Sequence, residues 1–307
     1  MMKRLMVFVA LIAAMTALTF AESGEEVSPG PAIESDVDLP SRLIDAYWLE
    51  EHLGAENLVI LDTARKPGEY SSSHVPGALY ADRSGFYQEV DGIPGMFPGV
   101  EKTVSWLETL GVSNDSAVVV YDAGSGPWAA RLAWTLAYLG HENWAVLDGG
   151  YGLWEADGLP LATAGTATVA AGYFLPDVRD SLLVSGDELL ADLYDPGVVV
   201  VDARSSGEYN GSDVRADRGG HIPGALSIEW TLNNSSGTLP TLLGVEELAE
   251  FYATEGVDAE DRVVAHCQTG VRGAHTWLAL TLAGYDNVAL YDGSWIEWAN
   301  DERFPVE

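Results

Sequence analysis

The chain has 307 residues, 47% of them apolar, and sets 47 acidic side chains against 15 basic ones for a formal net charge of −32. That length and apolar content fill one large core or two ordinary ones, with two the better expectation. A field this negative repels nucleic acid and anionic lipid, so a polynucleotide partner is excluded and the acidity reads as solvation of the surface.

At the amino terminus Lys3 and Arg4 precede an apolar run from Leu5 to Leu18. The run ends in Thr19-Phe20-Ala21, with small residues where a signal peptidase reads them. Residues 1–21 are therefore expected to form a secretory signal peptide, with an uncleaved membrane anchor as the alternative, and the mature protein is expected to be periplasmic or secreted. No other segment has the length and hydropathy of a membrane span. Residues 22–38, rich in Glu, Ser, Pro and Gly, are expected to be a disordered tether.

Beyond the tether the chain repeats itself. Leu58-Val-Ile-Leu-Asp62-Thr-Ala-Arg65, Glu69-Tyr70 and His74-Val-Pro-Gly-Ala78 return as Val198-Val-Val-Val-Asp202-Ala-Arg204, Glu208-Tyr209 and His221-Ile-Pro-Gly-Ala225. Ala117-Val-Val-Val-Tyr121-Asp122 returns as Arg262-Val-Val-Ala-His266-Cys267, and Val146-Leu-Asp148-Gly-Gly150 as Leu290-Tyr-Asp292-Gly-Ser294. The spacing of about 140 residues is a domain length. Continuous apolar runs such as Val118 to Tyr121 and Val198 to Val201 suit strands covered on both faces of a parallel sheet. Between them fall helices expected at Val100 to Leu110, Ala129 to Leu139, Val245 to Thr254 and Gly273 to Ala283. The pattern predicts an α/β protein of two tandem domains, 39–158 and 183–307, each a mainly parallel sheet flanked by helices, joined by a linker over 159–182.

The sequence contains one cysteine, which excludes an internal disulfide and multi-cysteine metal sites. Cys267 closes a strand and is followed by Gln268-Thr269-Gly270-Val271-Arg272-Gly273 and then a helix. Amides in such a loop converge on one point, the helix's positive end adds to them, and Arg272 supplies a full charge, so a solvent-reachable thiolate is expected there. The bland alternative is a small hydrophobe at a strand end. Cysteine phosphatases set their arginine six positions after the cysteine. Here the interval is five, and the tighter loop better suits a single transferable sulfur carried as a persulfide on Cys267.

With its flanking segments His221-Ile-Pro-Gly-Ala225 and Tyr291-Asp292-Gly293-Ser294-Trp295-Ile296-Glu297-Trp298, this loop resembles the active loop of the rhodanese family, and the resemblance runs from about Leu39 to the carboxyl terminus. It implies a tandem thiosulfate or 3-mercaptopyruvate sulfurtransferase whose amino-terminal domain is inactive. Cys267 would be the nucleophile, and Gln268, Thr269, Gly270, Val271 and Arg272 would hold the donor. The acceptor would be cyanide or a thiol, with no metal or organic cofactor. Asp122 stands at the first half's cysteine position, where a carboxylate is expected neither to accept sulfur nor to sit comfortably in an anion cradle. Asp62 and His74 are candidates for the cleft, although a His in His-Val-Pro-Gly-Ala reads first as a turn anchor. Arg204 either binds substrate or pairs with a carboxylate.

Mercaptopyruvate-specific members carry an arginine just before the aromatic residue of the turn, whereas this chain has Glu208 before Tyr209. An acid there is expected to repel a carboxylate, which moves the expected donor toward thiosulfate, with Arg215 or Arg218 as candidate second cations. A cysteine phosphatase or arsenate reductase, and a non-catalytic binding or sulfur-relay module, are the alternatives.

Overall fold

The computed structural model describes residues 36–63, 66–163 and 169–307. The expected signal peptide and residues 22–35 of the expected tether lie outside the described residues. At the tether's far end Val37 is already buried, with its N–H on Asn57 Oδ1 at 2.9 Å and its carbonyl accepting from Asn57 Nδ2 at 3.0 Å.

The first half runs β1 (Leu43–Ile44), α1 (Ala46–Glu51), β2 (Leu58–Asp62), α2 (Pro67–Ser72), β3 (Leu79–Tyr80), β4 (Gln88–Val90), β5 (Ile93–Met96), α3 (Val100–Thr109), β6 (Ala117–Tyr121), α4 (Pro127–Tyr138), β7 (Trp144–Leu147) and α5 (Gly150–Ala156). The second runs β8 (Leu183–Val184), α6 (Gly186–Asp192), β9 (Val198–Asp202), α7 (Ser206–Tyr209), β10 (Leu226–Ser227), α8 (Val245–Thr254), β11 (Arg262–His266), α9 (Val271–Leu282), β12 (Val288–Tyr291) and α10 (Ser294–Asn300). The two main sheets have the same order, β1-β7-β6-β2-β3 and β8-β12-β11-β9-β10, with every neighbouring pair parallel. The predicted α/β class is thus observed in both halves. Strand β6 is buried along its whole length, as an apolar run covered by helices on both faces must be.

In each half the middle strand, β6 or β11, runs into a glycine-containing loop and then a helix. Gly126 and Gly270 cap α4 and α9 with φ of 89° and 79°, a conformation that penalises a side chain. These helices pack on each other within one core cluster that holds Leu132, Trp134 and Leu136 of the first half with Trp277, Leu278 and Leu280 of the second. Each such side chain contributes roughly 1.5–3 kcal/mol on burial, so the halves share an interior.

The halves also exchange hydrogen bonds. Asp292 Oδ2 accepts from Phe97 N at 2.6 Å, and Asp148 Oδ1 accepts from Leu242 N at 2.9 Å. Each aspartate is the other's counterpart in the repeat. The expected linker is tied to the first half at three places: Ala162 exchanges backbone hydrogen bonds with His74, Gly172 N donates to Glu108 O, and Arg179 N donates to Tyr138 O.

Candidate active site

The sequence Arg-Val-Val-Ala-His forms β11 because its β-branched and small side chains fill both faces of a sheet centre, and it ends by delivering Cys267 to the loop. The segment after β12 fixes the cysteine's peptide. Ser294 Oγ accepts from Cys267 N at 3.2 Å and donates to Tyr291 O at 2.9 Å, while Trp295 N donates to Cys267 O at 2.9 Å. Ser294 has φ of 53°, a region costly for a non-glycine residue, and its first-half counterpart Gly150 has the same value. The serine sits there against its backbone preference, and its hydroxyl ties the cysteine's N–H to the end of β12.

The first half shows what this loop does with an anion. Asp122, 3% exposed, accepts four backbone N–H groups: Gly124 and Gly126 on Oδ1 at 2.9 and 3.1 Å, Trp128 and Ala129 on Oδ2 at 3.1 and 3.4 Å. This overturns the expectation that a carboxylate sits badly in the cradle. A full negative charge is what converging amides at a helix start accommodate best. The Cys267 loop is one residue shorter before its capping glycine, so the thiol replaces the carboxylate in a tighter turn.

Two expectations about the second loop are corrected. Cys267 is 1% exposed, so in this conformation the thiol is enclosed. Arg272 is not given over to the sulfur: its Nη1 and Nη2 each lie 2.8 Å from an oxygen of Glu208. Burial alone would raise the Glu208 pKa, yet the hydrogen bonds and charge of Arg272, with those of Ser205, hold its carboxyl down at about 2. Burial works against the Arg272 charge, and the Glu208 hydrogen bonds with the charges of Cys267 and Glu208 raise its pKa above the ordinary value. The guanidinium therefore serves the acid directly and the sulfur through space. Arg215, half exposed, stands on the far side of Glu208 with Nη1 at 3.4 Å and holds Asp213 at 2.5 Å. Gln268 Nε2 donates to Arg215 O at 3.1 Å. Glu208, read as a simple repeller of carboxylates, is instead an anion clamped between two cations.

The remaining loop positions meet the first half. Thr269 Oγ1 accepts from Tyr87 Oη at 3.2 Å, and a Cβ on Gly95 would lie 2.8 Å from Thr269 Cβ. Val271 is buried at the start of α9. His266, also buried, turns its Nδ1 to the Cys267 carbonyl at 3.2 Å. Burial lowers its pKa to about 4, so it is neutral at pH 7.

Of the other sequence candidates, Arg204 is committed to structure: Nε and Nη2 grip Asp202 at 2.6–3.0 Å, Nη2 also donates to Gly220 O, and the guanidinium lies over Trp295 at 4.3 Å. His74 anchors its turn, with Nδ1 2.8 Å from Tyr70 O and its ring stacked on Tyr70. His221 repeats this against Tyr209 at 3.1 Å. Asp62 is fully buried at the end of β2, paired in register with Tyr121 one residue before Asp122. Arg218 is removed as a second cation, since its N–H groups go to the carbonyls of Trp298, Ala299, Asp301 and Phe304. Among the described residues no cluster of three or more His, Cys, Asp or Glu could hold a metal ion, and no helix is long and apolar enough to cross a membrane. Ser294 is a site residue that sequence reasoning misses, and its only signal is its place in the Asp-Gly-Ser segment of the repeat.

The profile of the rhodanese-like domain matches residues 45–157 and again residues 185–301. The chain belongs to the rhodanese family. Both rhodanese-like domains are covered by curated relatives. The thiosulfate sulfurtransferase of Azotobacter vinelandii is 34% identical over 265 residues, covering 86% of this chain and 96% of its own. That of Pseudomonas aeruginosa is 32% identical over 270 residues, covering 88% and 98%. Among solved structures, the 3-mercaptopyruvate sulfotransferase SseA of Escherichia coli aligns with a TM-score of 0.73 at 30% identity, over 83% of this chain and 99% of that one. The anaerobic ergothioneine biosynthesis enzyme of Chlorobium limicola aligns with a TM-score of 0.76 at 27% identity, over 87% and 70%. The protein is a rhodanese-family sulfurtransferase.

Proposed function

We propose that the protein moves the outer sulfur of thiosulfate to cyanide or a thiol through a persulfide on Cys267. What supports the reading is the repeat: the first-half loop closes four amides on the Asp122 carboxylate, and the second half carries the free thiol of Cys267 at the corresponding position, between strand and helix. The Cys267 thiolate attacks the outer sulfur, the S–S bond of thiosulfate breaks, and sulfite leaves with the bonding pair. Loop amides and Arg272 offset the charge of the persulfide and of the departing dianion. In the second half-reaction cyanide takes the terminal sulfur as thiocyanate, or a thiolate takes it as a persulfide, and the Cys267 thiolate returns. The donor must compete with Glu208 for Arg272, and Gln268, Thr269, Gly270 and Val271 line its seat.

A second reading, 3-mercaptopyruvate as donor, is favoured by the likeness to the Escherichia coli enzyme. Against it stand the Azotobacter vinelandii and Pseudomonas aeruginosa relatives, which are named thiosulfate sulfurtransferases at 34% and 32% identity. Mass spectrometry after each donor decides: the proposal requires one added sulfur atom on Cys267 with thiosulfate, and cyanide must remove it. Substantial thiosulfate:cyanide activity in Cys267→Ser, or release of phosphate from an aryl phosphate, would overturn it. Export directed by residues 1–21 belongs to the same proposal and is checked by fractionating the host cell.

A further inference from the structure

The half that lacks the cysteine sends one buried charge under the loop that has it. Arg131, on α4, is fully buried, and its Nη1 lies 2.5 Å from Asp292 Oδ1, itself 2% exposed. Its Nη2 donates to Gly95 O at 3.3 Å. A Cβ built on Gly270 would lie 2.7 Å from Arg131 Nη1 and 2.9 Å from Asp292 Oδ1, so this ion pair is packed directly on the backbone of the Cys267 loop. Nε and Nη1 have no hydrogen-bond acceptor of good geometry, an expense a buried guanidinium bears only where neighbours fix it.

The guanidinium also lies over the Trp134 ring at 4.8 Å, and its two polar partners, Gly95 and Asp292, are props of the loop. Gly95 packs on Thr269, and Asp292 opens the segment whose Ser294 and Trp295 hold the peptide of Cys267. The repeat supplies an internal control. His275 stands five residues after Gly270, as Arg131 stands five after Gly126, and it reaches across to the other loop, 3.4 Å from a Cβ built on Gly126. Burial lowers the His275 pKa to about 4, so the loop bearing Asp122 is underlain by a neutral ring. The loop bearing the thiol is underlain by a cation with its counterion.

We infer that Arg131 is a positioning residue for the Cys267 loop, contributed by the catalytically silent domain. This inference rests on the reading of Cys267 as the nucleophile, and its test is read on the thiol as well as on turnover. Because the sequence holds a single cysteine, the rate of iodoacetamide alkylation against pH reports Cys267 alone. In Arg131→Met the turnover number should fall about 10- to 100-fold, as displacement of a reacting group by up to about 1 Å does, with the KM for thiosulfate changed less than about threefold. The alkylation midpoint should move by roughly half a pH unit or more, and Arg131→Lys should recover part of both effects. Arg131→Met/Asp292→Asn removes both buried charges and guards against misfolding, and it should remain slow although its melting temperature recovers. Wild-type turnover and midpoint in Arg131→Met, or full activity in the double variant once stability returns, would overturn the inference. Absence of thiosulfate turnover in the wild type, with the alkylation shift intact, would instead count against the proposed donor.

Discussion

Arg272 and Glu208 meet through two parallel 2.8 Å contacts, and only 1% of the Glu208 side chain is exposed. The acid therefore draws off charge that the loop would otherwise direct at sulfur and donor. Glu208→Gln keeps the shape and removes the anion. The KM for thiosulfate should fall severalfold, and alkylation of Cys267 should proceed at lower pH. Stability should drop by about 1–3 kcal/mol because the partly buried guanidinium loses its counterion. Steady-state kinetics and urea titration check both, and an unchanged or higher KM would show that Arg272 does not meet the donor.

Asp122 holds the first loop shut through four amides. Asp122→Ala should cost about 2–4 kcal/mol, the penalty of stranding several buried donors, and Asp122→Asn about half of that, since an amide satisfies one side of the cradle only. Denaturant melts measure this, and a loss below about 1 kcal/mol in the alanine variant would mean that water replaces the carboxylate.

Arg204 is spent on Asp202, Gly220 and Trp295. Arg204→Met should destabilise the protein by about 3–5 kcal/mol, since Asp202 is left buried and uncompensated, while the KM for thiosulfate stays within about twofold. A large rise in KM with normal stability would restore Arg204 as a donor contact.

Acid should weaken the fold well above the carboxylate range. His266 and His275 are fully buried, and burial holds each at about 4 against 6.5 for the free side chain. Between those values the unfolded chain takes up protons on them and the folded chain does not. Stability is therefore complete above pH 6.5 and is lost as pH falls toward 4, by on the order of 3 kcal/mol per site at the limit. His275→Gln should flatten this slope in melts recorded across that range. A slope identical to wild type would place the proton uptake elsewhere.

Much of the architecture was legible because duplication wrote it twice: the strand runs, the two His-Xaa-Pro-Gly-Ala turns and the strand-to-helix loops all recur, and periodicity supplied their type. Helix ends were displaced by up to two residues, as for α9, which starts at Val271 rather than Gly273. The cysteine and its loop were legible from residue type and spacing. What the Arg272 guanidinium faces was not, because Glu208 lies 64 positions away and only the tertiary fold brings them together. The seat of Asp122 is not legible, because a sequence shows a carboxylate but not the amides that converge on it. Arg131 does carry a signal in the sequence, for a lone arginine in the apolar stretch Trp128-Ala-Ala-Arg131-Leu-Ala-Trp134 must find a buried anion.

The two crossed grips, Asp292 on Phe97 and Asp148 on Leu242, make each domain the completing piece of its twin. Severed between the domains, the polypeptide would expose half of a common interior and strand an acid on either side. The two repeats are therefore expected to unfold as one cooperative body, and a fragment holding the Cys267 half alone is expected not to keep its loop.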